Sequence, residues 1–141
     1  MKKNKLVVHQ DYSFILLGIV SSIKEYTLAW YLNQNGVFNF LKAPDICIDF
    51  NNDSEMIISN YICKSEQHIY TLLRNRLIIS PFENHLLLPE LNQFDYFLKL
   101  ESKIDHFDLE TLIYNLRVID KIDYLASLDI NKIKSKENVL H

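Results

Sequence analysis

The chain has 141 residues, 48% apolar and 23% charged, with two glycines, three prolines and a formal net charge of −3. That length makes one domain, residues 1–141, able to bury about two-thirds of its extended surface, and the composition excludes disordered, collagenous and disulfide-scaffold chains. Lysines and arginines are dispersed and do not form the basic stripe that phosphate neutralisation requires, so nucleic acid is not an expected partner.

In chain order, Lys5 to His9 is a β-rich apolar patch, and Phe14 to Val20 is apolar on both alternating faces, as a mid-sheet strand covered on both sides must be. Gly18 inside that strand implies a close backbone approach or a bulge. Ser22 and Glu25 have capping-box spacing, predicting a helix from there through Tyr26, Trp30 and Tyr31 to Asn35-Gly36, where glycine provides the left-handed conformation that ends helices. Trp30, one turn after Tyr26, reads first as a core anchor and second as a partner contact. After a loop holding Pro44, Asp45 to Phe50 alternates as a half-buried strand with Ile46, Ile48 and Phe50 inward. Asn51 to Ser54 is a turn, Met56 to Cys63 a further strand, Lys64-Ser65-Glu66 another turn and His68 to Arg74 another strand, which together make an antiparallel meander. Leu77 to Leu88 has no assignable pairing. Phe94 to Glu101 alternates again, with Phe94, Tyr96, Leu98 and Leu100 on one face and Asp95, Phe97, Lys99 and Glu101 on the other. Leu109, Leu112, Ile113 and Leu116 fall at helical spacing, with Asp108 as N-cap and Phe107 placed to staple against Leu112. A strand over Lys121 to Leu128 and a polar, frayed or helical tail from Asn131 complete the chain.

The predicted fold class is α+β: an antiparallel-rich sheet with two main helices packed on one face, on a ferredoxin-like split βαβ plan with extra strands. Catalytic signals are sparse. Cys47 and Cys63 form no CxxC and read as reduced, half-buried strand residues. The five histidines make neither HxH nor HExxH, so no metal is expected, and two glycines cannot build a phosphate cradle, so no cofactor is expected. Arg74 and Arg76 would share a strand face and could pair with acidic neighbours or hold a phosphate. No apolar run approaches a membrane span. Phe14 to Val20 is too short, and too interrupted by Gly18, for a signal peptide, which leaves the cytoplasm as the expected location.

Leu88-Pro89-Glu90-Leu91-Asn92-Gln93-Phe94-Asp95-Tyr96 puts a proline, two carboxylates and a tyrosine where a loop turns into a strand. The stretch resembles the signature of the bacterial IPExxxVDY family: Pro89, Glu90, Asp95 and Tyr96 match at the family's spacing, Leu88 stands in place of Ile and Phe94 in place of Val. The resemblance extends to the Phe14 to Trp30 region and to the tail Ser135-Lys136-Glu137-Asn138. It implies no established activity, and a gene neighbourhood with ribonuclease III and pyruvate kinase. From the residues themselves, Glu90 and Asp95 point to opposite faces of an extended chain and could meet only through a bend at Leu91 to Gln93. Pro89 edges a strand, Asp95 bonds a nearby turn and Tyr96 buries its ring with the hydroxyl at the rim, so the signature reads as structural ahead of functional.

The leading functional expectation is therefore a non-catalytic domain that binds a protein partner or itself, with Trp30, Arg74 and Arg76 as candidate contacts. An ACT-like regulatory domain binding a small metabolite is second, by fold analogy alone. An enzyme using Glu90, Asp95 and Tyr96 comes third and an RNA-associated factor fourth.

Overall fold

The computed structural model describes residues 14–49, 54–104 and 107–140. The expected strand at Lys5 to His9, the inward position expected of Phe50 and the turn residues Asn51 to Asp53 lie outside them. In chain order the elements are β1 (Phe14–Val20), α1 (Glu25–Asn33), β2 (Leu41–Lys42), β3 (Ile46–Asp49), β4 (Glu55–Ile58), β5 (Asn60–Lys64), β6 (His68–Arg74), β7 (Tyr96–Ser102), α2 (Leu109–Arg117) and β8 (Tyr124–Leu128). The main sheet has the order β2-β5-β6-β7-β1-β8, with every neighbouring pair antiparallel. Because β7 and β8 are both antiparallel to β1, they run parallel to each other with β1 between them, and β1 and β6 likewise flank β7. The stretch β6-β7-β1-β8 thus carries two interleaved split βαβ units, the ferredoxin-like plan, and β5 and β2 extend it on one side.

Both faces of the sheet are buried. On one, Leu28, Ala29 and Leu32 of α1 and Leu112 and Leu116 of α2 pack with Leu17, Ile19, Leu72, Leu98 and Leu100, so the two helices share a face as expected. On the other, Leu16, Leu73 and Phe97 meet Met56 and Ile58 of β4, Leu77, Leu87, Leu88 and Phe94 of the long loop, and Ile130, Ile133 and Val139 of the chain's last segment. The strand β1 contributes to both layers through its alternation, which is why its sequence is apolar throughout.

Several expectations need correction. Met56 to Cys63 is not one strand: the chain breaks at Ser59, β4 pairs with β3 in a separate two-stranded ribbon, and β5 joins the main sheet. The break lets Met56 and Ile58 fill the loop-side core while Cys63 faces the helix side. The alternation expected from Phe94 begins only at Tyr96, because Phe94 turns into the loop-side core. The face of β7 assigned to Asp95, Phe97, Lys99 and Glu101 is covered too: Phe97 is fully buried, and Lys99 is buried with its Nζ 4.7 Å from the Phe14 ring centre. The last strand starts at Tyr124, since Asp123 N–H is the group that bonds the Val20 carbonyl (2.8 Å) as the chain enters the sheet. The tail is docked, not frayed, as two 3₁₀ turns at Ile130–Lys132 and Lys136–Val139. Cys47 is exposed and Cys63 buried, both with free thiols. Ile46 and Ile48 do point inward, with Cys47 and Asp49 outward.

Candidate functional site: a charged cleft at the end of the sheet

The site lies where β1 and β6 end and β7 begins. Asp95, just before β7, donates its backbone N–H to the Ile19 carbonyl (2.9 Å) and accepts from the Asn75 N–H through its own carbonyl (3.0 Å), which ties three strand ends together. Its side chain turns to the β1–α1 loop, where Oδ2 accepts from the Ser21 N–H at 2.9 Å. The next residue repeats the device, as the Tyr96 hydroxyl donates to the Ile23 carbonyl at 2.6 Å. Ser21 Oγ, in turn, donates to the Lys121 carbonyl at 2.7 Å. The β1–α1 loop is thereby fixed from two directions and forms one wall of a cleft of about 510 Å³. Lys24, Glu25, Tyr26, Arg74, Arg76, Asp95 and Tyr96 line it together.

Glu25 does not close a capping box. α1 starts at Glu25 itself, its N-cap Lys24 supplies no side-chain hydrogen bond, and Ser22 is exposed. Glu25 Oε1 accepts instead from Ser59 Oγ at 2.6 Å, and Oε2 is buried with no hydrogen-bond partner among the described residues. Burial pushes the Glu25 carboxyl above its ordinary pKa, although the Ser59 bond and the charges of Lys42 and Arg74 pull the other way. Burial, with the charge of Glu25 behind it, raises the Tyr96 hydroxyl to about 12. The hydroxyl is thus held protonated and already donated to the Ile23 carbonyl, which suits it to holding the loop. Neither the Arg74 nor the Arg76 guanidinium makes a hydrogen bond or an ion pair among the described residues.

Of the residues singled out by sequence, the fold brings together Asp95, Tyr96, Arg74 and Arg76. It sends the rest elsewhere. Pro89 opens a 3₁₀ turn over Pro89–Leu91, and Glu90 within it accepts from Ser135 N–H (2.8 Å) and Ser135 Oγ (2.7 Å) near the chain end. Glu90 and Asp95 therefore hold different segments and never form a pair. Trp30 is not a core anchor: it is 56% exposed, edge-on to Tyr31 at 5.0 Å. α1 already fills its core side with Leu28, Ala29 and Leu32, which leaves the Tyr26 and Trp30 side to solvent. Arg74 ends β6, whereas Arg76 sits beyond it in an isolated bridge to Leu86.

Sequence reasoning missed Glu25 as a cleft residue, because its partner Ser59 lies far along the chain, and missed Asn75 altogether. The signature stretch bonds to both of the other stretches that carry the resemblance. Asp95 and Tyr96 grip Ser21 and Ile23, Glu90 grips Ser135, and Asn138 Nδ2 donates to the Leu87 carbonyl at 2.8 Å. Among the described residues no group of three His, Cys, Asp or Glu side chains could hold a metal, and no helix is long and apolar enough to cross a membrane. No protein-family model and no curated protein matches the chain.

Proposed function

We propose that this chain is a non-catalytic binding domain that takes a small anionic metabolite into the cleft between Arg74, Arg76 and the start of α1. The observation that carries the reading is that two arginines line one cleft and neither guanidinium has a hydrogen-bond or ion-pair partner among the described residues. Arginine forks match carboxylate and phosphate oxygens bidentately, and the amino end of α1, which has no side-chain cap, lines the same cleft and adds partial positive charge there. Asp95 and Tyr96, the signature's reactive-looking pair, are occupied in holding the loop backbone, which favours binding over catalysis. Ferredoxin-like sheets of ACT-type regulatory domains offer an analogy of fold alone. Placement in the IPExxxVDY family and in the cytoplasm belongs to the same proposal, and the first is supported by Pro89, Glu90, Asp95 and Tyr96 standing at the signature's spacing.

A thermal-shift screen of carboxylates and phosphates tests the reading. A ligand at 100 times its dissociation constant should add about 2.7 kcal/mol of stability, and the paired substitutions Arg74→Gln and Arg76→Gln should abolish the shift. If no compound in such a screen stabilises the chain, the reading is withdrawn. A second reading, docking of a protein or of a second copy, rests on Tyr26 and Trp30, 62% and 56% exposed one turn apart on α1. Light scattering across concentration tests self-association, and a strictly monomeric chain removes that form of it.

A further inference from the structure

We infer that the anion taken by this cleft is the terminal phosphate of a monoester, held by Lys24, Arg74 and Arg76 together, and not a carboxylate. The inference rests on the binding reading above and names the group that is bound. Lys24 lines the cleft with the two arginines, and like theirs its side chain makes no hydrogen bond or ion pair among the described residues. Arg74 is near enough for its charge to act on the carboxyl of Glu25, the first residue of α1, and on the Tyr96 hydroxyl. The first bond of α1 runs from the Leu28 N–H to the Lys24 carbonyl at 2.9 Å, and the amide N–H groups of Glu25 and Tyr26, both lining residues, have no acceptor among the described residues. Two carboxylates share the lining, and each already serves the fold. Glu25 Oε1 accepts from Ser59 while its Oε2 is buried, and Asp95 Oδ2 accepts from the Ser21 N–H.

A carboxylate carries one charge on two oxygens, a demand that one arginine fork meets. Two forks, an ammonium and a helix end exceed it. They match three oxygens bearing close to two charges, as a phosphate monoester has near neutrality. A phosphodiester, with one charge and two free oxygens, falls short just as a carboxylate does. The site is thereby set apart from binding of a nucleic-acid backbone, which calls for a basic stripe that this chain lacks. A volume of about 510 Å³ leaves room beyond the phosphate for the group that carries it, and Tyr26 and Leu86 give that group apolar surface.

Calorimetric titration of the full chain decides it, with phenyl phosphate, its methyl diester and benzoate as probes. Phenyl phosphate should bind about tenfold or more tighter than either of the others. Between about pH 8 and pH 5 the monoester takes up its second proton, so its affinity should fall about tenfold relative to that of benzoate. The titratable groups on the lining, Lys24, Glu25, Tyr26, Arg74, Arg76, Asp95 and Tyr96, act on both probes in the same direction, so the ratio reports the ligand's own proton. Lys24→Gln, at an exposed position, should reduce the preference for phosphate about fivefold, and Arg74→Gln with Arg76→Gln should weaken every probe. A preference unchanged by Lys24→Gln would overturn the three-cation site. Benzoate or the diester binding as tightly as phenyl phosphate, and lost in the arginine variant, would overturn the phosphate and leave the anion reading standing. No binding by any probe would overturn both. Should the arginine variant fail to fold, the probe series on the unaltered chain and on Lys24→Gln still separates a phosphate site from a carboxylate site.

Discussion

Asn75 shows how much of this fold hangs on one side chain. It is 1% exposed; its Nδ2 donates to the Phe94 carbonyl (2.8 Å) and the Leu91 carbonyl (3.2 Å), and its Oδ1 accepts from the Leu88 N–H (3.0 Å). Its own carbonyl accepts from Leu87 N–H at 2.6 Å, so one residue just past β6 holds the signature loop at four points along its backbone. Asn75→Leu would strand two carbonyls and one amide in the core, and urea denaturation should show a loss of about 3 kcal/mol or more. An unchanged midpoint would mean that water reaches those groups. In sequence this asparagine looks like any polar residue after a strand, since every partner is a backbone atom at least twelve residues away. Gly18 is more legible. A glycine in an apolar strand announces a close approach, but not which group approaches, and the group is the Phe94 ring, 2.6 Å from where a Cβ would lie. Gly18→Ala should cost about 1–3 kcal/mol by overpacking. Phe94→Val, which removes that ring, should cancel much of this, a coupling that a double-mutant cycle would read directly.

The legibility of the elements follows the range of the contacts that set them. α2 is readable because its determinants are local: Asp108 Oδ1 accepts from Thr111 N–H (3.1 Å), Oδ2 accepts from Thr111 Oγ1 (2.6 Å), and Leu112 and Leu116 fall on the buried side. The start of α1 misleads because Glu25, correctly spaced to cap, is drawn to Ser59 on another element. The 3₁₀ turn at Pro89–Leu91 and that at Lys136–Val139 are unreadable for the same reason, since Glu90 joins them across the chain through Ser135. That latch has a pH signature. Burial tends to raise the Glu90 carboxyl, but the two Ser135 bonds, with the backbone amides of Glu90 and Lys134, together outweigh it and hold the pKa below its ordinary 4.5. A depressed folded-state pKa gives stability that is present above the unfolded value and lost as pH falls through the folded one. Glu90→Gln should therefore lower the melting temperature at pH 7, and the difference from the unaltered chain should close as pH drops below about 4.5. Hydrogen exchange over residues 136–139 should quicken in the variant at neutral pH. An equal deficit at every pH would point to lost packing in place of lost charge.

The whole molecule is a sheet between two unlike layers. The helix layer follows from the two strand-helix passages in the sequence, whose apolar periodicities are regular. The other layer does not, because a short ribbon, a long loop and two 3₁₀ turns share no period that a pattern could reveal, and only burial identifies them as core. Its closing piece is the last segment, where Ile130, Ile133 and Val139 are 8%, 5% and 0% exposed. Burial of an aliphatic side chain stabilises by about 1.5–3 kcal/mol, so the three together contribute about 4.5–9 kcal/mol, the same size as the entire stability of an ordinary domain. Deleting residues 129–141 should accordingly abolish the cooperative thermal transition and the near-ultraviolet circular dichroism while far-ultraviolet signal persists, as expected when a sheet keeps its backbone bonds but loses one packed face. Ile133→Ala alone should cost about 2–4 kcal/mol and leave the transition cooperative. A truncated chain that melts sharply at the original temperature would mean that the loop-side face is closed without the tail. The Glu90 latch would then matter to the tail alone.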